Sequence, residues 1–475
     1  MRFRMRISVN GALCSGQFAM SIMQTIFMFY YVRVFHVVFE IDAYWFGIAQ
    51  ALFMVWNSIN DPLFGCIQDL SSSWMRDRRK VIAYLSPLLC GSFLLLWFPW
   101  ASHNSPPYVT GLHLICALFL YDAFYSCVNV AWSALFSEST YDHSARVTAI
   151  KFSQLAILLS VNIIAVAEKV SHSVENFFAF QCTCIAVAFL AMGCFWITGN
   201  MEKTEGIISE RAVLVPEEVE EGKGKISTAL TMAKQVVKRQ DFVALVLTNF
   251  IHNCRSVSHL NFAAMATATL IPETILPSGS WSKSLFFGAC TLVPQLLVVA
   301  SGNFIARRGA YRVIMASFIL SMSLAAMFWV FAAESPLLMM LFMFLDSVLV
   351  HSIAPLFQIL VAEYVDDDAK RHLRRKPISS LIFSLNALLV KPAQSITPVI
   401  VLYLLGEGHY ENNGIAIERA SEKSAMYAVV CLTPLLLGLV QFFIMRLYSL
   451  KNAHFNAKAE ADMKAHIFVV VFEKS

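Results

Sequence analysis

A chain of 475 residues that is 57% hydrophobic and 14% charged, with a mean hydropathy of +0.61, is too apolar for a set of water-soluble domains. It reads as a polytopic membrane protein. The formal net charge of +4 is too small to argue for a nucleic-acid partner. The 11 cysteines all fall in apolar stretches, so a disulfide framework is not expected, and Cys182-x-Cys184 has no second pair or histidines to complete a zinc site.

The opening MRFRMR is followed by a long apolar run without a small-residue cleavage site, which reads as a first membrane helix rather than a removed signal. Crossing about 30 Å of hydrocarbon takes about 20 apolar residues. Twelve such spans are predicted: Val9–Val32, Tyr44–Ile67, Val81–Ala101, Val109–Phe136, Thr148–Ala167, Phe177–Thr198, Phe242–Ala268, Ser284–Ile305, Val313–Ala333, Leu337–Ala362, Ile378–Leu405 and Ala425–Leu447. The polar stretch Gly199–Gln240, with its acidic run Glu217–Glu221 and an amphipathic segment near Ile226–Val237, divides them six and six. The expected organisation is an N-terminal six-helix bundle (1–198), a cytoplasmic linker (199–240), a C-terminal six-helix bundle (241–449) and a cytoplasmic tail (450–475). The apolar run Ile467–Phe472 in that tail is too short to span.

Charge placement sets the orientation. With both termini inside, 29 Lys and Arg fall on the inner side and 5 on the outer, while Arg255 and Lys391 lie within helices. Cytoplasmic loops should be the basic ones, so both termini are expected in the cytoplasm. The outer loops are too short for an extracellular domain, and a plasma-membrane location is favoured over an internal one.

The stretch Trp56–Lys80, WNSINDPLFGCIQDLSSSWMRDRRK, places an acid inside an apolar helix. Asn57, Asn60 and Asp61 are spaced to share one helix face. A charge at membrane depth costs a few kcal/mol even on lenient scales (about 3), so Asp61 is expected to face a bundle interior or a wet cavity and to have a function. Pro62 and Gly65 are expected to break the helix below it. Arg255 is a second buried charge, with His252 and His259 on its face; it would bind an anionic group, pair with Asp122 or Asp346, or be hydrogen-bonded to carbonyls. No cofactor is implied, no metal-ligand set is convincing, and without a P-loop, a nucleophile elbow or paired acids in a soluble cleft no enzyme is expected.

These residues carry a resemblance. The stretch is similar to the helix-two signature of the glycoside–pentoside–hexuronide:cation symporters, the melibiose-permease branch of the major facilitator superfamily. Gly16–Val32 resembles that family's first helix, Tyr125–Arg146 its fourth helix and following loop, and Val361–Ser395 its eleventh helix with the loop before it. The motifs VWNSINDPLFG and FMFYYV bring the chain nearest to an orphan animal group within it. The resemblance implies an all-α fold of twelve transmembrane helices in two six-helix bundles, working by alternating access.

Carried over position by position, the resemblance implies a cation or proton-coupling set of Asn57, Asn60, Asp61, Ser126 and Lys391. It implies a substrate set of Gln17, Asn57, Ser126, Asn129 and Lys391. Three family carboxylates are amides here, at Gln17, Asn57 and Asn129. An amide still grips a hydroxyl with donor and acceptor, but sodium wants charge among its oxygen ligands, so proton coupling or uncoupled facilitation fits better than sodium coupling. Asp69, Arg78 and Arg79 are implied as a charge latch, with Arg146, Asp366 and Arg371 as counterparts; a solvated loop is the alternative. Asp61 and Lys391 would form either a transport switch or a pair that fixes helix packing. The expected solute is a sugar or glycoside, with a lysolipid as alternative; a non-transporting scaffold or receptor that keeps the fold is the other reading.

Overall fold

The structure, a computed structural model, describes all residues except 1–6, 71–73, 102–104, 141, 172–173, 202–224, 278–279, 333–334, 375, 395, 398–399, 401–414 and 452–475. The acidic run 217–221 and the apolar tail segment 467–472 therefore lie outside the described residues.

The helices in chain order are α1 (Val9–Arg33), α2 (Ala43–Leu70), α3 (Arg78–Leu95), α4 (Pro107–Ser139), α5 (His143–Val161), α6 (Ile163–Ser171), α7 (Phe177–Gly199), α8 (Lys225–Val237), α9 (Gln240–Leu270), α10 (Trp281–Ala300), α11 (Gly302–Arg308), α12 (Ala310–Phe331), α13 (Pro336–Ile353), α14 (Leu356–Arg371), α15 (Ser379–Val390) and α16 (Ile415–Arg446). Caps that the sequence supplies mark several starts. Ser8, Asn176, Ser280 and Ser335 each accept an N–H from the first turn of the helix that follows. Pro107 and Pro336 sit in the first turn, where a missing N–H costs nothing. Inside the predicted tenth span, Pro355 separates α13 from α14.

Among the described residues, eight helices or joined helices are long and apolar enough to cross a membrane. The other four predicted spans fall on α2, α3, α9 and α15. Helix α2 has 28 residues and α9 has 31, ample length at about 1.5 Å per residue. They are diluted by the side chains that give them interest: Asn57, Asn60, Asp61 and Gln68 on α2, and Asn249, His252, Asn253 and Arg255 on α9.

The chain forms two compact units, and each takes a segment from beyond the linker that divides the sequence. The first comprises Met1–Tyr141, Thr148–Lys234 and Asp368–Leu388; the second comprises Asp142–Val147, Gln235–Asp367 and Leu389–Ser475. Within the first unit α4 packs on α2 and α3, and α7 packs on α1 and α3. Within the second, α13 packs on α10 and α12, and α16 packs on α9 and α12. The same four pairings recur in the same chain order, the mark of a duplicated bundle.

The expected break at Pro62 does not occur: α2 runs through it. Gly65 serves another purpose. A Cβ there would lie 2.0 Å from Ser384 Oγ, 2.6 Å from Ser384 Cβ and 2.8 Å from the Ser380 carbonyl, so the glycine lets α15 lie directly on the α2 backbone. All 11 cysteines are free thiols.

Candidate functional site

Helices α2 and α4 build the centre of the first unit. On α4, Asp122, Tyr125, Ser126 and Asn129 share a face by spacing, as Asn57, Asn60 and Asp61 do on α2. The two faces meet: the Asn60 side-chain N–H donates to Asp122 Oδ2, both residues being buried. Asp61 is 2% exposed and Ser126 is equally buried. The carbonyl oxygen of the Asn60 side chain accepts no hydrogen bond among the described residues. Tyr125 lies within electrostatic reach of both Asp122 and Asp61. A second buried carboxylate, Asp122, thus joins the α2 face that carries Asp61, where a single acid had been expected.

Asp122 is the residue the sequence reading missed as part of this site; it had been weighed only as a partner for Arg255. Its signal was present, since it stands one turn before Ser126 on the same face.

The other expected substrate residues are spread over α1, α4 and the end of α15. Gln17 is half-buried and donates to Ser21 on its own helix at 2.9 Å. Asn57 and Asn129 are half-buried. Lys391 is half-buried and belongs to the second unit, whereas Asp61 belongs to the first. The nearby aromatics have structural attachments. Trp132 Nε1 donates to the Leu13 carbonyl at 3.0 Å, Tyr121 Oη donates to Gln24 Oε1 at 3.1 Å, and Trp56 stacks on Phe119 with ring centroids 5.2 Å apart.

The expected latch residues fall into two clusters. In the first unit the Arg78 guanidinium donates to Asp69, to Glu138 Oε1 at 3.2 Å and to the Gln68 carbonyl at 3.1 Å. Asp69 Oδ2 also accepts the Leu381 N–H at 2.7 Å, and Ser379 Oγ donates to Glu138 at 2.9 Å, which ties the start of α15 to the same cluster. Burial works against the Arg78 charge, but Glu138 and Asp69 together outweigh it and hold the guanidinium above its ordinary value. Arg79 is not in this cluster: it donates to the Met201 carbonyl at 2.7 Å and pairs with Asp77 at 3.2 Å. In the second unit Arg146 pairs with Asp366 at 2.6 Å, beside a His143 Nδ1 to Glu363 contact of 2.8 Å. Arg371 is exposed. Glu138, His143 and Glu363 were not singled out in the sequence, because only their tertiary partners distinguish them.

Of the alternatives for Arg255, the structure selects Asp346. The guanidinium donates to Asp346 Oδ1 at 2.7 Å and to Ser321 Oγ at 2.8 Å, all within the second unit.

Two helical bundles of matching internal packing, with ionisable side chains in their interiors, define a transporter class of membrane protein. The profile of the MFS/sugar transport protein family matches residues 13–452, and the chain belongs to that family: it is a multi-pass membrane transporter of the major facilitator superfamily, and a small molecule is its cargo. The chain is similar to Transmembrane protein 180 of Gallus gallus, 26% identical over 410 residues and covering 81% of this chain and 78% of that protein. The Mus musculus protein of the same name is also 26% identical, over 416 residues, covering 81% and 77%.

Among solved structures, the E. coli fucose:proton symporter FucP superposes with a TM-score of 0.63 at 12% identity, covering 93% of this chain and 98% of that one. The human organic anion transporter MFSD10 does so with a TM-score of 0.58 at 14% identity, covering 92% and 98%. At such identities the likeness concerns the fold: twelve transmembrane helices in two six-helix bundles.

Proposed function

We propose that this protein carries a small polar solute, a sugar or glycoside, across a cellular membrane by alternating access, driven by protons or running downhill. The observation that carries the reading is the buried Asp61–Asn60–Asp122 group between α2 and α4. Carboxylates in a membrane bundle are costly to keep and are rarely kept for packing alone. Gln17, Asn57, Ser126 and Asn129 would hold solute hydroxyls, and Asp61, with Asn57, Asn60, Ser126 and Lys391, would take the coupling proton. A fucose:proton symporter among the structures of similar fold accords with this choice of solute and ion. Asp122 adds a second buried carboxylate to the interior of the first unit, so a proton bound beside Asp61 is electrostatically reasonable.

The clusters around Arg78 and around Arg146 would act as charge latches that open and re-form as the carrier changes state. Both termini would be cytoplasmic, and the plasma membrane is the location we favour. The test is uptake by the purified full chain in proteoliposomes, across sugars, glycosides and lysolipids, with and without an imposed proton gradient. Saturable sugar uptake that Asp61→Asn abolishes supports the proposal. Uptake of lysolipids alone would replace the cargo, and absence of flux with every solute would favour a scaffold or receptor that keeps the fold.

A further inference from the structure

The arginines of this protein differ in what answers them. Arg78, Arg79, Arg146, Arg239, Arg255 and Arg374 each pair with a carboxylate. Arg308, at the end of α11, and Arg446, at the end of α16, are exposed and have no acid partner among the described residues. Their guanidinium groups lie over aromatic rings instead, Arg308 at 5.7 Å from the centroid of Phe304 and Arg446 at 5.8 Å from that of Phe442. In both cases the ring stands one turn earlier on the same helix. Helical side chains lean toward the N-terminus, so an arginine in a last turn folds back over the residue one turn before it.

The two helix ends meet within the second unit. Gly309, at φ 86° and ψ 143°, stops α11 and turns the chain at once into α12. Tyr311, in the first turn of α12, donates from Oη to the Met445 carbonyl at 3.4 Å and stacks its ring on that of Tyr448, with centroids 6.1 Å apart. Arg446 stands between Met445 and Tyr448 in the chain and within electrostatic reach of Tyr311. Arg308 stands just before Tyr311, so both cations belong to one joint between α12 and α16. Arg307 adds a further exposed cation to the same turn. Asp241, which accepts the Ser449 N–H at 2.6 Å, is already paired with Arg239.

The apolar side chains beside these cations are exposed: Phe304 on α11, Phe443 on α16 and Leu447 just beyond it. An exposed phenylalanine at the end of a membrane span faces acyl chains, and a long cation one turn further on reaches the headgroup layer. A guanidinium binds phosphate oxygens through two parallel hydrogen bonds strengthened by charge. A zwitterionic lipid carries a cation of its own and is attracted less than an acidic one.

We propose that the α11–α12 turn and the end of α16 form a binding site for an acidic glycerophospholipid of the surrounding bilayer. Arg308 and Arg446 hold its phosphate and anionic headgroup, and its acyl chains lie along Phe304, Phe443 and Leu447. The lipid bridges α12 and α16 where Tyr311 already joins them. It is a fixed ligand of the protein rather than cargo, and the proposal needs only the membrane character of the chain, not its solute.

Native mass spectrometry of the purified, delipidated full chain in detergent tests this, with phosphatidylglycerol titrated against phosphatidylcholine of the same acyl chains. We expect phosphatidylglycerol to bind at least about fivefold more tightly. Arg308→Gln/Arg446→Gln should weaken phosphatidylglycerol at least about tenfold and leave phosphatidylcholine within about twofold. Arg76→Gln/Lys80→Gln removes the same charge from exposed positions of the first unit and should change either affinity less than about threefold. Glycerophosphoglycerol, the same headgroup without acyl chains, should bind at least about tenfold more weakly than the lipid.

A wild type that does not prefer phosphatidylglycerol overturns the proposal without any variant having to fold. So does an Arg308→Gln/Arg446→Gln protein that binds it as the wild type does. A first-unit variant that loses as much affinity would also overturn it, because the attraction would then be to basic surface in general. A free headgroup that binds as tightly as the lipid would overturn the lipid in favour of a soluble phosphate ester. None of these readings involves uptake, so the carrier reading stands or falls separately.

Discussion

Arg78→Met removes the guanidinium that pairs with two carboxylates, Asp69 and Glu138, in the first unit. The Asp69 and Arg78 side chains are 2% and 5% exposed, so neither ion can recover its hydration where it stands, while Glu138 at 19% recovers part. Breaking a buried pair from one side costs about 3–5 kcal/mol, because the stranded charge remains in a poor solvent. The Gln68 carbonyl loses its donor as well, adding about 1 kcal/mol. We discount the Glu138 contribution for its exposure and expect a loss of about 4 kcal/mol in total. That is comparable with the margin by which many domains are folded at all.

Neutralising the acids as well, in Arg78→Met/Asp69→Asn/Glu138→Gln, removes the stranded charges, and at least half the loss should return. The assay is thermal unfolding of the detergent-purified protein, with the monodisperse fraction after size exclusion as a second reading. The reasoning is refuted if the single variant unfolds with the wild type, or if the triple variant is no more stable than the single one.

Gly65→Ala should destabilise the protein by about 1–3 kcal/mol through overpacking against Ser384 and the Ser380 carbonyl, with partial recovery on adding Ser384→Gly; equal melting of Gly65→Ala and wild type would contradict the close approach. Asn60→Ala removes one donor from the Asp122 carboxylate and should cost about 1–3 kcal/mol, whereas Asn60→Ala/Asp122→Asn should cost less than the two changes added, a coupling read from a double-mutant cycle. Asp346→Ala strands the Arg255 guanidinium in the bundle interior and should cost about 3–5 kcal/mol, while Arg255→Met/Asp346→Leu should sit much closer to wild type in the same melting assay.

Much of this was legible before the fold, and for an identifiable reason. Whether a segment belongs in a bilayer depends on the sum of its own side chains, so the twelve spans and the isolated charges within them could be read locally. Asp61 was conspicuous because nothing apolar about its helix explains an acid. Asp122 was overlooked because its importance lies in Asn60 on another helix.

The amino-acid sequence by itself determined that this is a helical membrane protein with polar groups held at membrane depth, since burial energy and helical period are properties of contiguous residues. Tertiary structure alone decided which charges share a site: Arg255 with Asp346 rather than Asp122, Asp122 with Asn60, and Arg78 with Glu138 as well as Asp69. The reason is physical. A hydrogen bond needs its two atoms within about 3 Å, and residues 60 to 91 positions apart meet that condition only after the helices have packed.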